Sequence, residues 1–273
     1  MDTSIAMTFH KLTAAVLLLW LLAMPAAYAM PAIQHWVTGN GARVYFVAAP
    51  ELPRVNINVT FAAGGVRDDG HAGLAHMTST LLDMGAAGLS ADEISSRAES
   101  LGAELGTGSA RDMAWITLRS LSDPAYLQPA LDLLADVINK PDFNEKDFER
   151  ERERTQVAIR RSEQSPATVA EYTFFQSTYG DHPYAPRPGG TVDSIAALKL
   201  DQIKAFYKQY YVARNAVFSI VGDLDRKSAE QLVEQVIGQL PAGKRAPAVA
   251  SVPVLTKAQQ QRVYHPSTQT HVR

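Results

Sequence analysis

Strand-like and helical patterns follow one another along this chain in an order that restricts its fold class. Two β-rich runs flank Gly39-Asn40-Gly41, a sequence typical of a hairpin turn. Residues 54–63 alternate apolar and polar side chains, which predicts a half-buried strand, and further strand patterns cover 102–109, 113–121 and 216–221. Because hairpin patterns are mixed with pairs of helices, the sequence predicts an α+β fold rather than a doubly wound parallel sheet.

Capping signals mark the starts of several predicted helices. Ser90 is followed three residues later by Glu93, which is a capping box, and Asp123 precedes a proline at the first helical position. Gly180 ends another helical pattern. The predicted helices cover residues 73–84, 90–101, 123–138, 144–164, 168–179, 200–211 and 225–240.

The first 29 residues are predicted to be a secretory signal peptide outside the fold. Lys11 precedes an apolar run of 13 residues, and Ala27-Tyr28-Ala29 places small residues where a signal peptidase reads them. A membrane span needs about 20 apolar residues, so an uncleaved anchor is the less favoured alternative and no stable membrane anchor is expected. The signal and the absence of cysteine together favour a periplasmic location in a bacterium.

Charge and cysteine content exclude several classes of protein. The 26 basic residues are balanced by 28 acidic ones, so no basic excess is available for binding nucleic acid. The chain has no cysteine, which excludes disulfide scaffolds, thiolate zinc sites and cysteine nucleophiles.

The patterns divide the remaining chain into one complete domain and a short extension. Residues 30–240 carry all the strand and helix patterns described above. Residues 241–255 are rich in proline and alanine without periodicity, which predicts a flexible linker. Residues 256–273 contain a new strand-like run, interpreted as the beginning of a second domain. An isolated strand is unstable in water, so we expect this tail to be mobile.

Several short motifs, in their order and spacing, resemble the pitrilysin/insulinase metallopeptidase family, the inverzincins. The motifs are Gly73-Leu74-Ala75-His76, Leu101-Gly102-Ala103, the charged run 148–154, His182-Pro183-Tyr184 and Gly190-Thr191. The resemblance covers residues 34–240, essentially one family domain. It implies an antiparallel sheet packed against helices, in a domain that the family normally duplicates within one polypeptide.

The zinc motif of that family is degenerate in this chain. Active members carry H-x-x-E-H on a helix, with two histidine ligands and a glutamate base for the zinc-bound water. Here the first histidine is His76, Ser79 replaces the base and Thr80 replaces the second ligand. A hydroxyl group does not hold a proton as a carboxylate base does, and one imidazole is not a zinc site. The resemblance therefore implies no bound zinc, although active relatives use it.

The family's third ligand lies on a later helix, seven residues after another glutamate. Matching that glutamate to Glu153 places Arg160, a fixed cation, at the ligand position, with Gln156 and Glu163 as flanking alternatives. Without the resemblance, the same run is a solvated helix face with opposite charges three residues apart. Rescue of the metal site by Asp83 or His71 is the less favoured alternative.

The resemblance also assigns a peptide-binding role to one strand. Residues 102–109 correspond to an edge strand that pairs with substrate backbone in active relatives, with Thr107 and Gly108 where Asn-Ala is common. The chain is accordingly interpreted as a non-catalytic subunit that partners an active family peptidase and helps to enclose peptides. The alternatives are an active zinc metalloendopeptidase with displaced ligands and a structural scaffold, the latter disfavoured by the signal peptide.

Overall fold

A six-stranded sheet is the largest element of the computed structural model, which describes residues 32–252, 254–258 and 260–264. Its strands are β1 (Gln34–Val37), β2 (Arg43–Ala48), β3 (Arg54–Phe61), β6 (Glu104–Ser109), β7 (Ala114–Leu121) and β8 (Ala216–Gly222), in the spatial order β1-β2-β8-β3-β7-β6. A separate two-stranded ribbon pairs β4 (Gly85–Ala86) with β5 (Leu89–Ser90).

Eight α-helices lie within the described residues. They are α1 (Leu74–Leu81), α2 (Ala91–Ser100), α3 (Pro124–Asn139), α4 (Glu145–Ser162), α5 (Pro166–Tyr179), α6 (Val192–Ala197), α7 (Leu200–Tyr210) and α8 (Arg226–Ile237). The predicted capping box at Ser90 and Glu93 is present, and Asp123 caps α3. None of the helices in this part of the chain is both long enough and apolar enough to cross a membrane.

One face of the sheet packs against helices and the other is partly exposed. On β3, Val55, Ile57 and Val59 are buried, whereas Asn56 and Asn58 on the opposite face are not. Helices α1, α3 and α8 contact the strands, and their apolar side chains join the inward-facing strand residues in one core. The alternation predicted from the sequence of this strand is confirmed.

The predicted α+β fold with helices on an antiparallel sheet is confirmed, with one parallel pair. Strand β8 lies between β2 and β3 and pairs with both. Because β2 and β3 run in opposite directions, a strand inserted between them is parallel to one and antiparallel to the other. Here β8 is parallel to β2.

The segment after α8 is held against the domain, in contrast to the flexible linker expected there. Its hydrogen bonds are Ala213 N–H to Pro241 O (2.9 Å), Arg214 N–H to Ala242 O (3.0 Å), Ala246 N–H to Asn215 Oδ1 (3.0 Å) and His182 Nε2 to Ala250 O (2.9 Å). We call residues 241–250 the C-terminal strap. Residues 260–264 form no strand. The predicted signal peptide and residues 265–273 lie outside the described residues.

Candidate functional site

A buried carboxylate fixes the start of α1, the helix that carries the degenerate motif. Gly73 precedes the helix in a left-handed conformation (φ 96°), which favours glycine. The Asp68 carboxylate accepts hydrogen bonds from the N–H groups of Gly73 and Ala75, each 2.8 Å long. These bonds satisfy donors that have no partner within the first turn of a helix. Burial raises the pKa of Asp68 to about 7, against the opposite effect of these bonds.

The three motif positions on α1 offer a single metal ligand. His76 is partly buried, and burial lowers the pKa of its imidazole, so the ring is neutral at pH 7. Ser79 is 1% exposed and its hydroxyl donates to the carbonyl of His76 at 2.9 Å. Thr80 is partly exposed. With neither a carboxylate nor a second imidazole, these positions provide no base and no ligand pair.

On helix α4, the acidic residue that faces the interior is Glu151 and not Glu153, the residue that the sequence resemblance selects. Glu151 is 3% exposed, whereas Glu153 and Arg160 both lie on the exposed side of the helix. Glu151 belongs to the buried face that also contains Phe148 and Ile159, spaced as one face of a helix requires. The acid nearest the interior is therefore two residues earlier than Glu153, and Arg160 points away from the interior.

Ion pairs on α4 follow the predicted spacing of three residues. Arg150 pairs with Asp147, and Arg152 pairs with Glu149. Arg154 Nη1 lies 3.6 Å from Glu151 Oε2, and Arg150 Nε lies 3.2 Å from Glu151 Oε1. Each oxygen of the buried Glu151 carboxylate is thus paired with an arginine of the same helix.

A second carboxyl group, that of Asp83, lies at the edge of the sheet and is influenced by the charge of Glu151. Asp83 Oδ2 lies 3.5 Å from Thr107 Oγ1 on β6, and Oδ1 has no hydrogen-bond partner among the described residues. Burial raises the pKa of Asp83 to about 6, and the charge of Glu151 acts in the same direction. The site therefore disfavours the ionised form of Asp83.

His71, the other candidate for rescue of a metal site, lies against a different element. It is exposed, and its ring nitrogens lie 3.3 Å from Gln202 Nε2 on α7. The described residues contain no group of three or more histidine, aspartate or glutamate side chains that could hold a metal ion. The residues present around His76 therefore do not fit a zinc ion.

Strand β6, which contains the predicted substrate-binding residues Thr107 and Gly108, forms one edge of the sheet. Within the described part of the chain it pairs only with β7, where Gly108 lies opposite Trp115. Thr107 contacts Asp83 on the helical side, and Gly108 belongs to the partly exposed side. The free edge presents backbone groups that an extended peptide can pair with.

Comparison with known proteins agrees with this architecture. Residues 43–187 match the sequence model described as Insulinase (Peptidase family M16). The chain belongs to this family. Residues 197–273 match the model described as Peptidase M16 inactive domain, which takes in α7, β8, α8 and the C-terminal strap.

Family M16 relatives include proteins named as proteases and one named as a non-peptidase. The chain is 27% identical over 212 residues to the zinc protease PqqE of Helicobacter pylori, covering 77% of this chain and 47% of that protein. It is 25% identical over 194 residues to the non-peptidase homolog YmxG of the same species, covering 71% and 44%. The chain spans about half the length of these relatives.

Among solved structures, the M16 inactive domain from Pseudomonas fluorescens matches with a TM-score of 0.80 and 37% sequence identity. The match covers 81% of this chain and 54% of the other. Pitrilysin matches with a TM-score of 0.72 at 20% identity and supports the fold alone.

Sequence reasoning missed Asp68, which caps the motif helix, and the burial of Glu151. The signal for Glu151 was its spacing from Phe148 and Ile159, the two apolar residues that mark the inward face of α4. Asp68 had no such signal, because a loop carboxylate that caps a helix five to seven residues later follows no simple sequence pattern.

Proposed function

We propose that this chain is a non-catalytic M16 subunit that binds extended peptides along β6 and works beside an active peptidase of the same family. The observation that carries the proposal is the composition of α1, which provides one neutral imidazole with Ser79 and Thr80 in place of base and second ligand. Catalytic zinc needs three protein ligands and a water that a base can deprotonate.

The side chains of α4 do not restore the missing ligands. If the buried Glu151 is the family's earlier glutamate, the third-ligand position seven residues later falls on Ala158, since seven residues are nearly two helical turns. A methyl group cannot bind zinc. The alternative register, Glu153 with Arg160, places a cation there instead. Either register leaves His76 as the only ligand from the motif.

Peptide binding is a function that this domain can perform without zinc. An open edge strand binds an extended peptide through main-chain hydrogen bonds, which need no catalytic side chain. Strand β6 carries Gly106 and Gly108, so at these two positions the strand adds no side chain of its own to its partly exposed face. A subunit of this kind supplies one wall for a substrate that another chain cleaves.

Partnership with an active M16 peptidase and export to the periplasm belong to the same proposal. The names "inactive domain" and "non-peptidase homolog" among the matches indicate that non-catalytic members occur in this family. The predicted signal peptide supports an exported protein.

An active enzyme with displaced ligands is the second candidate, because Asp83 follows His76 by seven residues and is influenced by the charge of the buried Glu151. Metal content distinguishes the two. The purified chain is dialysed, its zinc is measured, and cleavage of a broad peptide library is assayed with and without a chelator. We expect no stoichiometric zinc and no cleavage, together with measurable binding of extended peptides. Near-stoichiometric zinc with chelator-sensitive cleavage would overturn the proposal in favour of the second candidate.

A further inference from the structure

Two glycines leave a flat strip on the partly exposed face of the edge strand β6. Gly106 lies opposite Thr117 and Gly108 lies opposite Trp115 on β7. Residues two apart on a strand share a face and are separated by about 6.6 Å. No side chain therefore projects from β6 along that length of the open face.

The indole of Trp115 lies across the backbone of Gly108. A Cβ atom built on Gly108 would be 2.5 Å from the ring carbon Cζ2 of Trp115 and 2.7 Å from Cε2, far inside van der Waals contact. The ring therefore leans from β7 over β6 toward the free edge of the sheet, and any residue larger than glycine at position 108 would displace it. Trp115 remains partly exposed in this position.

Polar side chains bound the same face on the far side of Gly106. Arg119 Nη1 pairs with Glu104 Oε2 at 3.0 Å, and Arg119 Nε donates to Asn56 Oδ1 at 3.1 Å. A depression of about 480 Å³ lies between these residues and Gly106. The strip thus has an aromatic wall at one end and an ion pair at the other.

We propose that Trp115 selects peptides with an aromatic side chain at the position that faces it when the peptide pairs with β6. The inference rests on the proposed function, because it deepens the peptide site at that edge. Cross-strand neighbours have Cβ atoms about 4.5–5.5 Å apart, so a side chain opposite Gly108 reaches an indole that already covers Gly108. A planar ring lies on the strip without meeting a Cβ atom and stacks against the indole.

The test measures binding of labelled short peptides by fluorescence anisotropy. A serine- and threonine-rich peptide is compared with a series that carries one phenylalanine at successive positions. In the wild-type chain, at least one phenylalanine position should increase affinity by about tenfold, because an aromatic pair adds both its own attraction and buried area. Trp115→Thr should remove this gain, so that the parent peptide and the phenylalanine series bind it with equal affinity, whereas Trp115→Phe should keep most of the gain.

Tyr45→Thr is the matched control, since Tyr45 is an exposed aromatic residue on the same face but on β2, away from the β6 edge. Its substitution should leave the phenylalanine gain intact. Equal affinities across the whole series, or a gain that persists in Trp115→Thr, would overturn the inference while leaving the proposed function standing. Absence of binding by every peptide, the parent included, would overturn the proposed function and this inference together. Circular dichroism of each variant verifies that the sheet is retained.

Discussion

Asp83 is a partly buried carboxyl group beside the edge strand, and its burial, together with the charge of Glu151, opposes its ionisation. Burial and the Glu151 charge raise the pKa of Asp83 to about 6 in the folded protein. A carboxyl group of this type titrates near about 4 in an unfolded chain. The contribution of Asp83 to the stability of the folded protein therefore falls as the pH rises from about 4 to about 6, and the loss is complete above that range.

We expect Asp83→Asn to stabilise the protein at neutral pH by about 2 kcal/mol and to have little effect near pH 4. The amide keeps the size of the side chain but carries no charge to desolvate. Urea unfolding at several pH values measures the difference. Glu153→Gln, at an exposed position of α4, is the control and should change stability little at any pH. A stabilisation of equal size at both ends of the pH range would contradict the assignment.

Some residues of the candidate site could be predicted from the sequence and others could not. His76, Ser79 and Thr80 are adjacent on one helix, so a resemblance at a single motif was enough to select them. The acid of α4 that faces the interior was harder to predict from the sequence. Every residue from 149 to 154 is charged, and only Phe148 and Ile159 mark the inward face. The sequence identifies Asp83 only as a possible ligand, because its contact with Thr107 and its interaction with the Glu151 charge arise from packing between elements distant in sequence.

At the scale of elements, the relation between α1 and α4 predicts how a zinc site is rebuilt. We expect the combination of Ser79→Glu, Thr80→His and Ala158→Glu to bind zinc at least about tenfold more tightly than the first two changes alone, because a third ligand is then available. Competition with a chromophoric chelator measures the affinity. Replacing Ala158→Glu by Arg160→Glu provides the matched control, since both positions are exposed on α4 but position 160 is seven residues after Glu153 rather than after Glu151. Tighter binding by the control set would favour the register through Glu153.

The C-terminal strap offers a second prediction at this scale. Trypsin should cleave the folded chain after Lys257 before it cleaves after Lys244 or Arg245, because hydrogen bonds hold the strap on both sides of the latter sites. His182→Phe keeps a packed ring but loses the bond to Ala250, and should accelerate cleavage at Arg245. His71→Ala is the control, since that ring contacts α7. Equal rates at Lys257 and Arg245 in the wild-type chain would show that the strap is open in solution.

Most helices and strands were predictable because their signals are local. Hairpin residues, alternation on β3 and the caps at Ser90 and Asp123 each lie within the element they define. The short helix α6 and the ribbon of β4 and β5 were missed, since six and two residues carry no measurable period. Composition alone predicts a linker at the strap, because the contacts of this segment join residues up to 68 positions apart.

At the scale of the whole molecule, the proposed role predicts an assembly. We expect the purified chain to co-elute in size-exclusion chromatography with an M16 peptidase that has an intact H-x-x-E-H motif and comes from the same organism. The mixture should cleave extended peptides faster than the peptidase alone, because β6 adds a second surface that holds the substrate. A version of the peptidase with its glutamate base changed to glutamine should still assemble without cleaving. Separate elution of the two chains, with no change in rate, would contradict the proposed partnership.

Because β8 lies in the centre of the sheet, the sheet can be completed only at a late stage of folding. Strands β1 and β2 form one group and β3, β7 and β6 another, and in the sheet the two groups are joined only through β8. Ile57 pairs with Ile220, and Val47 with Val221, so these contacts close loops of more than 160 residues. Closing loops of this kind costs entropy before any contact compensates for it, and sheets dominated by distant pairings fold slowly. A chain during synthesis therefore cannot join these two groups of strands into one sheet until residue 222 has emerged, so the sheet is completed late in folding.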